Sequence, residues 1–400
     1  MQTSFIKRPR MNTTGTALPR FQAIKEKSMP NDVVLDILKR LPVKSILRFK
    51  LLSKECCSTI SSPFFHEMHH EKSSKNNLRL LFQDKDQQDR KVVTSCRWVT
   101  TDIEGNRRIS ADFVTNCRVY NIIASGFGLI CFSGSNNNNH KQLIFVCNPS
   151  TKEVIALPSD PSSSMFSKYP IAGFGMGYDA ATKVYKVVHL FYTNYNPCSI
   201  PDHQTCDLGC EVIELTNGSH GAWRVVQEKC HIQVNRYSSP VFVNETLYWK
   251  ANNHSRMEKL GYIVSFNVKK EEFQILDSPE DCLVRDKTFL IDFEGKLAVA
   301  DASRTHITFG MEIIVLQKDH EENWFWEKVY RVSTRGLSQL DLLLGLKPIN
   351  VKNGEILMHL SGYFLAYNIE KTCIQWLLEA PMPFVSSGIF YESLFSLGSA

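Results

Sequence analysis

The sequence predicts a multidomain chain in which a small all-α unit is followed by an all-β propeller of about six blades. Within residues 29–72, apolar residues recur at helical spacing, whereas short β-rich runs alternate with turn residues from Leu78 onward. Strand–turn–strand segments then recur about every 50 residues, a period typical of propellers built from four-stranded blades. The chain has 400 residues, 43% of them hydrophobic, and can therefore bury a core of this size.

The composition excludes several classes of protein. The formal net charge is +5, and all of the excess lies in residues 1–28, for which we expect a flexible basic N-terminal extension. The neutral remainder lacks the clustered Lys and Arg of a nucleic-acid interface, and no apolar run is long enough to predict a membrane span. The 12 cysteines are scattered along the chain, which is typical of reduced proteins. We therefore expect a protein of the nucleus and cytoplasm.

Three short helices are predicted for the N-terminal unit. The first begins after Pro30, has Asp32 in its first turn, and ends before Pro42. Two more follow between Val43 and Ser61. Three helices in about 40 residues bury little of their own apolar surface, so we expect part of it to bind a partner helix.

This unit, residues 29–75, resembles an F-box. The matching residues are Pro30, Asp32, Val34, Ile37, Leu38, Leu41, Pro42, Val43, Lys44, Ser45, Arg48, Phe49, Ser53 and Lys54. The sequence departs from the pattern at Met29, Leu51 and Cys56. The resemblance implies a Skp-type adaptor as the partner, with cullin and RING subunits joined through it. It assigns the adaptor-binding face to Pro30, Val34, Ile37, Leu38, Leu41, Pro42, Leu47 and Leu52.

The repeated hairpins define the predicted propeller, residues 78–400. Their turns are separated by 69, 50, 51 and 50 residues and lie at Asn148, Asn217, Asn267, Lys318 and Asn368. The long first interval contains an insertion at 193–209, and one further hairpin is predicted at 97–114. We expect the C-terminal SSGIFYESLFSL to pair with residues 78–82, which closes the ring and removes its exposed sheet edges.

The same region resembles the plant F-box-associated interaction domain, which is kelch-like in architecture. The matching phrases include SGFGLICF, CNPSTKEVIALP, GFGMGYDAATKVYKVV and VFVNETLYW. The resemblance implies a non-catalytic substrate receptor of a Skp–cullin–F-box ubiquitin ligase, whose propeller selects the protein to be ubiquitinated and degraded by the proteasome. The alternative is an adaptor-independent propeller scaffold that binds a partner without ubiquitination.

The longest insertion is the candidate target-binding loop. Loops on a rigid scaffold commonly determine which partner binds, so we expect this insertion to border the target surface. The residues proposed for it are Thr193, Tyr195, Asp202, His203 and Gln204.

Two groups of residues have the composition of a metal site, but we expect neither metal nor cofactor. His66–Glu67–Met68–His69–His70 fits the HExxH pattern of zinc proteases, but it follows the F-box directly and has no third ligand at a suitable spacing. The second group has irregular spacing and no CxxC pair; it comprises Cys198, His203, Cys206 and Cys210.

The glycine-rich segments have another explanation than phosphate binding. Neither Gly126-x-Gly128 nor Gly173-x-Gly175-x-Gly177 stands at a strand-to-helix junction with the required third glycine. We expect blade strands to approach each other closely there. No catalytic residues are predicted.

Overall fold

A computed structural model gives the arrangement of most of the chain. It describes residues 31–76, 78–84, 96–102, 108–109, 114–115, 118–126, 128–135, 142–158, 171–193, 207–235, 239–251, 261–279, 287–303, 305–360, 362–379 and 384–398. Several predictions fall outside the described residues. They concern the N-terminal extension, Pro30 of the adaptor-binding face, and the target-loop residues Tyr195, Asp202, His203 and Gln204.

The N-terminal unit consists of four helices. These are α1 (Asn31–Leu38), α2 (Val43–Phe49), α3 (Lys54–Ser61) and α4 (Pro63–Asn76). The first three correspond to the predicted helices, although α1 ends at Leu38, four residues before Pro42. The Ser53 side chain caps α3 by accepting a hydrogen bond from the Cys56 amide at 3.0 Å. The fourth helix is an addition that the apolar periodicity does not predict.

The helical unit encloses a small apolar core. Its fully or nearly fully buried members are Leu38, Val43, Ile46, Ile60, Phe65 and Leu394. Five of these side chains come from the helices, and Leu394 comes from the C-terminal end of the chain. The core of the unit is thus completed by a residue that follows the propeller.

The rest of the chain is dominated by strands. In order they are β1 (Leu78–Asp84), β2 (Cys96–Asp102), β3 (Arg108–Ile109), β4 (Val114–Thr115), β5 (Arg118–Gly126), β6 (Leu129–Ser135), β7 (Gln142–Asn148), β8 (Glu153–Ala156), β9 (Ile171–Asp179), β10 (Val184–Thr193), β11 (Asp207–Thr216), β12 (Ser219–His220), β13 (Arg224–Cys230), β14 (Val241–Val243), β15 (Thr246–Lys250), β16 (Tyr262–Asn267), β17 (Glu272–Asp277), β18 (Thr288–Phe293), β19 (Lys296–Asp301), β20 (Gly310–Lys318), β21 (Trp324–Ser333), β22 (Leu346–Lys352), β23 (Glu355–Leu360), β24 (Tyr363–Asn368), β25 (Cys373–Glu379) and β26 (Phe384–Tyr391). Two short helices interrupt them, α5 (Thr305–Thr308) and α6 (Gln339–Gly345).

These strands form six antiparallel units in the described part of the chain, which we number as blades. Blade 1 contains β26 with β1–β4, blade 2 contains β5–β8, blade 3 contains β9–β13, and blade 4 contains β14–β17. Blades 5 (β18–β21) and 6 (β22–β25) share one eight-stranded sheet through a single parallel bridge between Phe293 and Val351. The count agrees with the predicted propeller of about six blades.

The ring closes as predicted, by pairing of its first and last strands. β1 and β26 are antiparallel, with Leu78 opposite Tyr391 and Phe82 opposite Ser387. The Lys352 ammonium of blade 6 lies 4.5 Å from the centre of the Tyr391 ring and so links blade 6 to blade 1. Because β1 and β26 pair with each other, the edges by which they face each other are hydrogen-bonded and not exposed.

The five predicted turns at Asn148, Asn217, Asn267, Lys318 and Asn368 form, whereas the turn of the hairpin predicted at 97–114 lies outside the described residues. The asparagine at several of these turns has a common structural role. The side-chain carbonyl of Asn148 accepts the Ser150 amide at 2.9 Å. Asn267 accepts the Lys270 amide at 2.8 Å in the equivalent turn of blade 4. Asparagine is favoured at these positions because its side chain can complete the turn locally.

The glycines of β9 allow blades 3 and 4 to approach closely, as predicted. A Cβ on Gly175 would lie 2.8 Å from the Trp249 indole, and one on Gly177 would lie 2.6 Å from the Phe242 ring. Trp249 is buried in the core between these blades and donates its indole N–H to the Phe174 carbonyl at 3.3 Å. The glycines are therefore required by packing and do not form a phosphate-binding loop.

Candidate protein-binding surfaces

The helical unit exposes an unusual amount of apolar surface. Six of the fifteen exposed large hydrophobic side chains in the described part of the chain belong to it; they are Val33, Ile37, Phe49, Leu51, Leu52 and Phe64. Leu51 is 86% and Leu52 is 69% exposed. So many exposed large apolar side chains on a small unit are typical of a protein-binding surface.

The predicted adaptor-binding residues divide into exposed and buried members. Ile37, Pro42 and Leu52 are exposed, whereas Val34, Leu41 and Leu47 are half-buried against the helical core. Leu38 is only 5% exposed and lies inside that core. Helical periodicity does not separate the two groups. In a short helix, the side chains that face the core and the side chains next to them lie on the same apolar stripe.

Sequence reasoning missed four of the exposed residues. Val33 and Phe64 lie outside the apolar stripe, Phe49 is the last residue of α2, and Leu51 follows that helix. The available signal was the departure of Leu51 from the F-box pattern, which places a large apolar side chain where a small residue is usual.

The helices that expose these apolar side chains are also rich in basic residues. Exposed or partly exposed cations between Lys39 and Lys54 outnumber the three acids of α1–α3; the cations are Lys39, Arg40, Lys44, Arg48, Lys50 and Lys54. Asp36 already pairs with Lys39 at 2.7 Å and with Arg40 at 2.9 Å. The remaining positive charge favours a partner whose contact surface has an acidic rim.

The HExxH segment lies in α4 and stabilises the helical unit. His69 is buried, and its Nε2 donates to the Leu41 carbonyl at 3.1 Å, which fixes the α1–α2 connection. Burial lowers the pKa of His66, His69 and His70. No group of three metal-ligating side chains occurs within the described residues.

One predicted residue of the target loop, Thr193, is described. It ends β10 and lies opposite Asp207 in β11, to whose carbonyl its hydroxyl donates at 3.2 Å. The other end of β10 follows Lys183, which forms an ion pair with Glu67 of α4 at 2.8 Å. A ten-residue strand spans about 30 Å, so Thr193 lies on the propeller face remote from the helical unit.

Cys210 belongs to the core of blade 3. It lies in β11 among buried apolar residues, and burial raises the pKa of its thiol well above the ordinary value. The other members of that predicted cluster, Cys198, His203 and Cys206, lie outside the described residues. The seven cysteines whose side chains are described form no disulfide bond.

Two polar pairs lie within the propeller. His189 and Glu211 are fully buried, with Nδ1 2.8 Å from the carboxylate, and Phe174 stacks on the imidazole at 4.6 Å. Lys186 of blade 3 donates to Glu271 at 2.7 Å in the turn that precedes the outer strand of blade 4. The second contact joins adjacent blades, and each contact pairs a buried cationic or imidazole nitrogen with a carboxylate.

Further exposed aromatic residues lie on the outer strands of blades 5 and 6. Trp324 and Phe325 are exposed on β21, and the Lys318 ammonium lies 4.8 Å from the Trp324 ring centre. Trp376 on β25 meets Tyr363 edge-on at 5.4 Å. Within the described residues, no helix is long and apolar enough to span a bilayer.

A closed propeller joined to a small helical unit with an exposed apolar surface has the architecture of a protein-interaction subunit. The family model "F-box domain" matches residues 27–68, and the model "F-box associated beta propeller domain" matches residues 77–375. The chain therefore belongs to the F-box proteins with an associated β-propeller domain. Proteins of this kind are generally non-catalytic adaptors, and F-box domains generally bind Skp-type adaptors.

The relatives found in Arabidopsis thaliana are named as F-box proteins. One F-box protein is 30% identical over 295 residues, which cover 67% of this chain and 62% of the relative. Another is 27% identical over 328 residues, covering 80% and 82%. Among solved structures, a prolyl endopeptidase is 12% identical with a TM-score of 0.39, and the match covers 76% of this chain but 39% of the peptidase. A likeness at that level supports no inference about function.

Proposed function

We propose that the chain is the substrate-recognition subunit of a Skp–cullin–F-box ubiquitin ligase. Its helical unit binds a Skp-type adaptor, which brings the cullin and RING subunits, and its propeller binds the protein to be ubiquitinated and degraded. The observation that supports this most directly is the exposed apolar surface within the segment that matches the F-box model. In the free chain these side chains contact water, and a partner helix would remove them from it.

Leu51 and Leu52 are the strongest candidates for the adaptor contact. They are the most exposed of the unit's apolar side chains and lie between α2 and α3, outside the unit's own core. Burying a leucine side chain stabilises a complex by about 1.5–3 kcal/mol. Losing both contacts therefore weakens binding by about 100-fold or more. Substitutions there leave the intramolecular packing intact, unlike changes at Leu41, whose side chain packs against the helical core.

The test compares three chains for binding to a purified Skp-type adaptor by titration calorimetry and co-purification. Wild type and the control Ile275→Glu are expected to bind equally, because Ile275 is a similarly apolar, 48% exposed residue on the outer strand of blade 4. Leu51→Glu/Leu52→Glu is expected to lose binding while its circular dichroism and thermal transition stay unchanged. A folded double variant that binds like wild type would refute the assignment of this surface.

For the target, we propose the propeller face remote from the helical unit. Thr193 lies at that end of β10, and the insertion predicted to bind the target begins next to it. Removing residues 194–206 is expected to abolish co-purification of target proteins and to leave adaptor binding unchanged. Retention of the same co-purifying proteins by the deletion variant would contradict this placement.

The ligase hypothesis also predicts the fate of the target. A protein bound by this propeller should accumulate when the proteasome is inhibited, and ubiquitin conjugates of it should appear when adaptor, cullin and RING subunits are added. A wild-type chain that binds no Skp-type adaptor would instead favour the propeller scaffold. We further propose that the protein acts in the nucleus and cytoplasm, consistent with described cysteines that form no disulfide.

A further inference from the structure

The segment that follows β26 bridges the helical unit and two blades. We call residues 392–397 the C-terminal strap. It leaves blade 1 at Tyr391 and has no regular secondary structure, yet Glu392, Ser393, Leu394 and Leu397 are all buried. A terminal segment without secondary structure becomes this well buried only when neighbouring elements hold it in place.

The strap contacts the helical unit through one polar and one apolar side chain. The carboxylate of Glu392, 8% exposed, accepts the Val43 amide at 2.9 Å at the first residue of α2. That amide has no partner within its own helix, and the residue before it, Pro42, provides no side-chain cap. Leu394, 6% exposed, packs in the helical core with Ile46.

The connection between α1 and α2 is therefore held from two sides. His69 of α4 donates to the Leu41 carbonyl, while Glu392 accepts from Val43 two residues later. Glu392 also lies close enough to His69 for its charge to favour the protonated imidazole, although burial lowers the pKa of His69 overall. The strap thus contacts the helical unit at the loop that sets the relative direction of its first two helices.

The other side of the strap is fixed to blade 2. Asn148 is completely buried, and its amide nitrogen donates to the carbonyls of Ser393 at 3.0 Å and Phe395 at 2.7 Å. Glu153 accepts from the Ser396 hydroxyl at 3.0 Å and from the Leu397 amide at 2.8 Å. These four hydrogen bonds attach the strap to the β7–β8 hairpin.

Blade 3 holds the end of the strap. The Ser396 amide donates to the Asn217 side chain at 2.8 Å, and the Ser396 carbonyl accepts from the Gly218 amide at 2.8 Å. Leu397 is buried in the core that blades 2 and 3 share, and the Phe395 ring meets Tyr185 edge-on at 4.7 Å. The strap is consequently anchored to rigid parts of the propeller on one side and to the helical unit on the other.

We propose that Glu392 and Leu394 are positioning residues that set the orientation of the helical unit on the propeller. The benefit of a fixed orientation rests on the proposed function. In a ubiquitin ligase, it would hold a bound target at a constant distance from the adaptor and the subunits attached to it. The ion pair between Lys183 and Glu67 cannot do this alone, because both side chains are about half exposed and such pairs contribute little.

The test measures the orientation directly. Spin labels are placed at two exposed sites, Glu55 on α3 and Lys371 in the β24–β25 turn, through non-canonical amino acids because the chain has 12 cysteines. Pulsed electron paramagnetic resonance then gives the distribution of distances between the labels. The wild-type chain is expected to give one narrow distribution.

Three variants isolate the strap. Glu392→Ala/Leu394→Ala removes both contacts and is expected to lose the single narrow distribution. Leu365→Ala removes another buried leucine, from the core of blade 6, and is expected to keep the narrow distribution, which controls for a general loss of stability. Glu392→Gln retains an oxygen that can accept the Val43 amide and is therefore also expected to give the single narrow distribution.

A second readout serves if the double variant fails to fold. In Glu392→Ala alone, the Val43 amide is expected to exchange with deuterium about 10- to 100-fold faster. This factor corresponds to the loss of one hydrogen bond to a charged acceptor. A narrow distance distribution in the folded double variant, or unchanged Val43 exchange in Glu392→Ala, would overturn the proposal.

Adaptor binding separates this proposal from the proposed function. The unlabelled double variant, where folded, is expected to keep binding a Skp-type adaptor, because Leu51 and Leu52 are unchanged. Loss of the narrow distribution together with absence of adaptor binding by wild type would leave the positioning role intact and refute the ligase assignment alone.

Discussion

The ion-pair cluster between blades 3 and 4 offers the sharpest test of how the propeller is held together. Glu271 accepts from Lys186 at 2.7 Å and from both terminal nitrogens of Arg224, so one carboxylate serves two cations. The side chain of Lys186 is 7% exposed and that of Glu271 is 16% exposed. Lys186 also donates to the Val268 carbonyl at 2.8 Å.

Glu271→Gln removes the negative charge while keeping the side-chain size and the backbone at Glu271, where φ is +61°. Removing one partner of a buried pair costs about 3–5 kcal/mol. Lys186 would keep only the Val268 carbonyl and, at 3.9 Å, the more exposed carboxylate of Glu214. The Arg224 contact adds little, since that side chain is 47% exposed. We therefore expect a loss of about 3 kcal/mol in the free energy of unfolding, at the low end of that range.

The assay is urea unfolding at neutral pH, followed by tryptophan fluorescence, with the slope against urea checked for constancy. Glu272→Gln is the matched control, because this neighbouring side chain is exposed and makes no described ion pair. The control is expected to unfold within about 0.5 kcal/mol of wild type. An equal stability of Glu271→Gln and Glu272→Gln would refute the argument that Lys186 depends on this carboxylate.

The pH dependence gives the same cluster a second signature. Burial acts to raise the pKa of Glu271, but the hydrogen bonds from Arg224 and Lys186 outweigh it and hold the pKa below its ordinary value of 4.5. A carboxyl whose pKa is depressed by folding stabilises the protein above its unfolded pKa and stops doing so as the pH falls through the folded value. The difference between wild type and Glu271→Gln should thus be full at pH 7 and shrink below about pH 4.5.

Three further outcomes are expected. Adaptor association should slow as salt increases, and Lys44→Glu should reduce both the rate and its salt dependence in stopped-flow measurements, because the basic residues of the helical unit steer the encounter. Gly175→Ala should destabilise the propeller by about 1–3 kcal/mol in urea unfolding, since its methyl group would lie 2.8 Å from Trp249; no loss would mean that the blades can separate locally. In the native chain Cys57 should react with a thiol reagent much faster than Cys210, as followed by mass spectrometry; equal rates would contradict the burial of Cys210.

The repeating parts of the fold could be predicted because their signals are local and recur. Each hairpin places a turn residue such as Asn267 or Asn368 between two β-rich runs, and the constant spacing then counts the blades. Ring closure followed from the same count, since a strand-rich C-terminal segment remained to pair with residues 78–82. These predictions required no knowledge of how distant side chains meet.

The fourth helix and the exposed surface could not be predicted in this way. In α4, only Phe64, Phe65 and Met68 are large apolar residues, after which the sequence is polar, so no helical stripe is visible. His69 is buried there because the Leu41 carbonyl needs a donor, a contact 28 residues away. Likewise, nothing in the sequence distinguishes Leu38, which faces the core, from Ile37 beside it, which is 46% exposed.

Ring closure also constrains where the segment that follows β26 can run. Because Tyr391 pairs with Leu78, and Leu78 comes two residues after α4 ends, any segment that follows β26 must begin beside the helical unit. Within the described chain, this is where both ends of the propeller meet the helices. The buried Glu392 and Leu394 lie there and contact the helical unit. Closure does not determine the specific partners. Val43 is 349 residues from Glu392 and Asn148 is 245 residues from Ser393, and these contacts depend on which side chains stand at those positions. A propeller closed by its own termini can therefore couple an N-terminal unit to its blades with a few C-terminal residues.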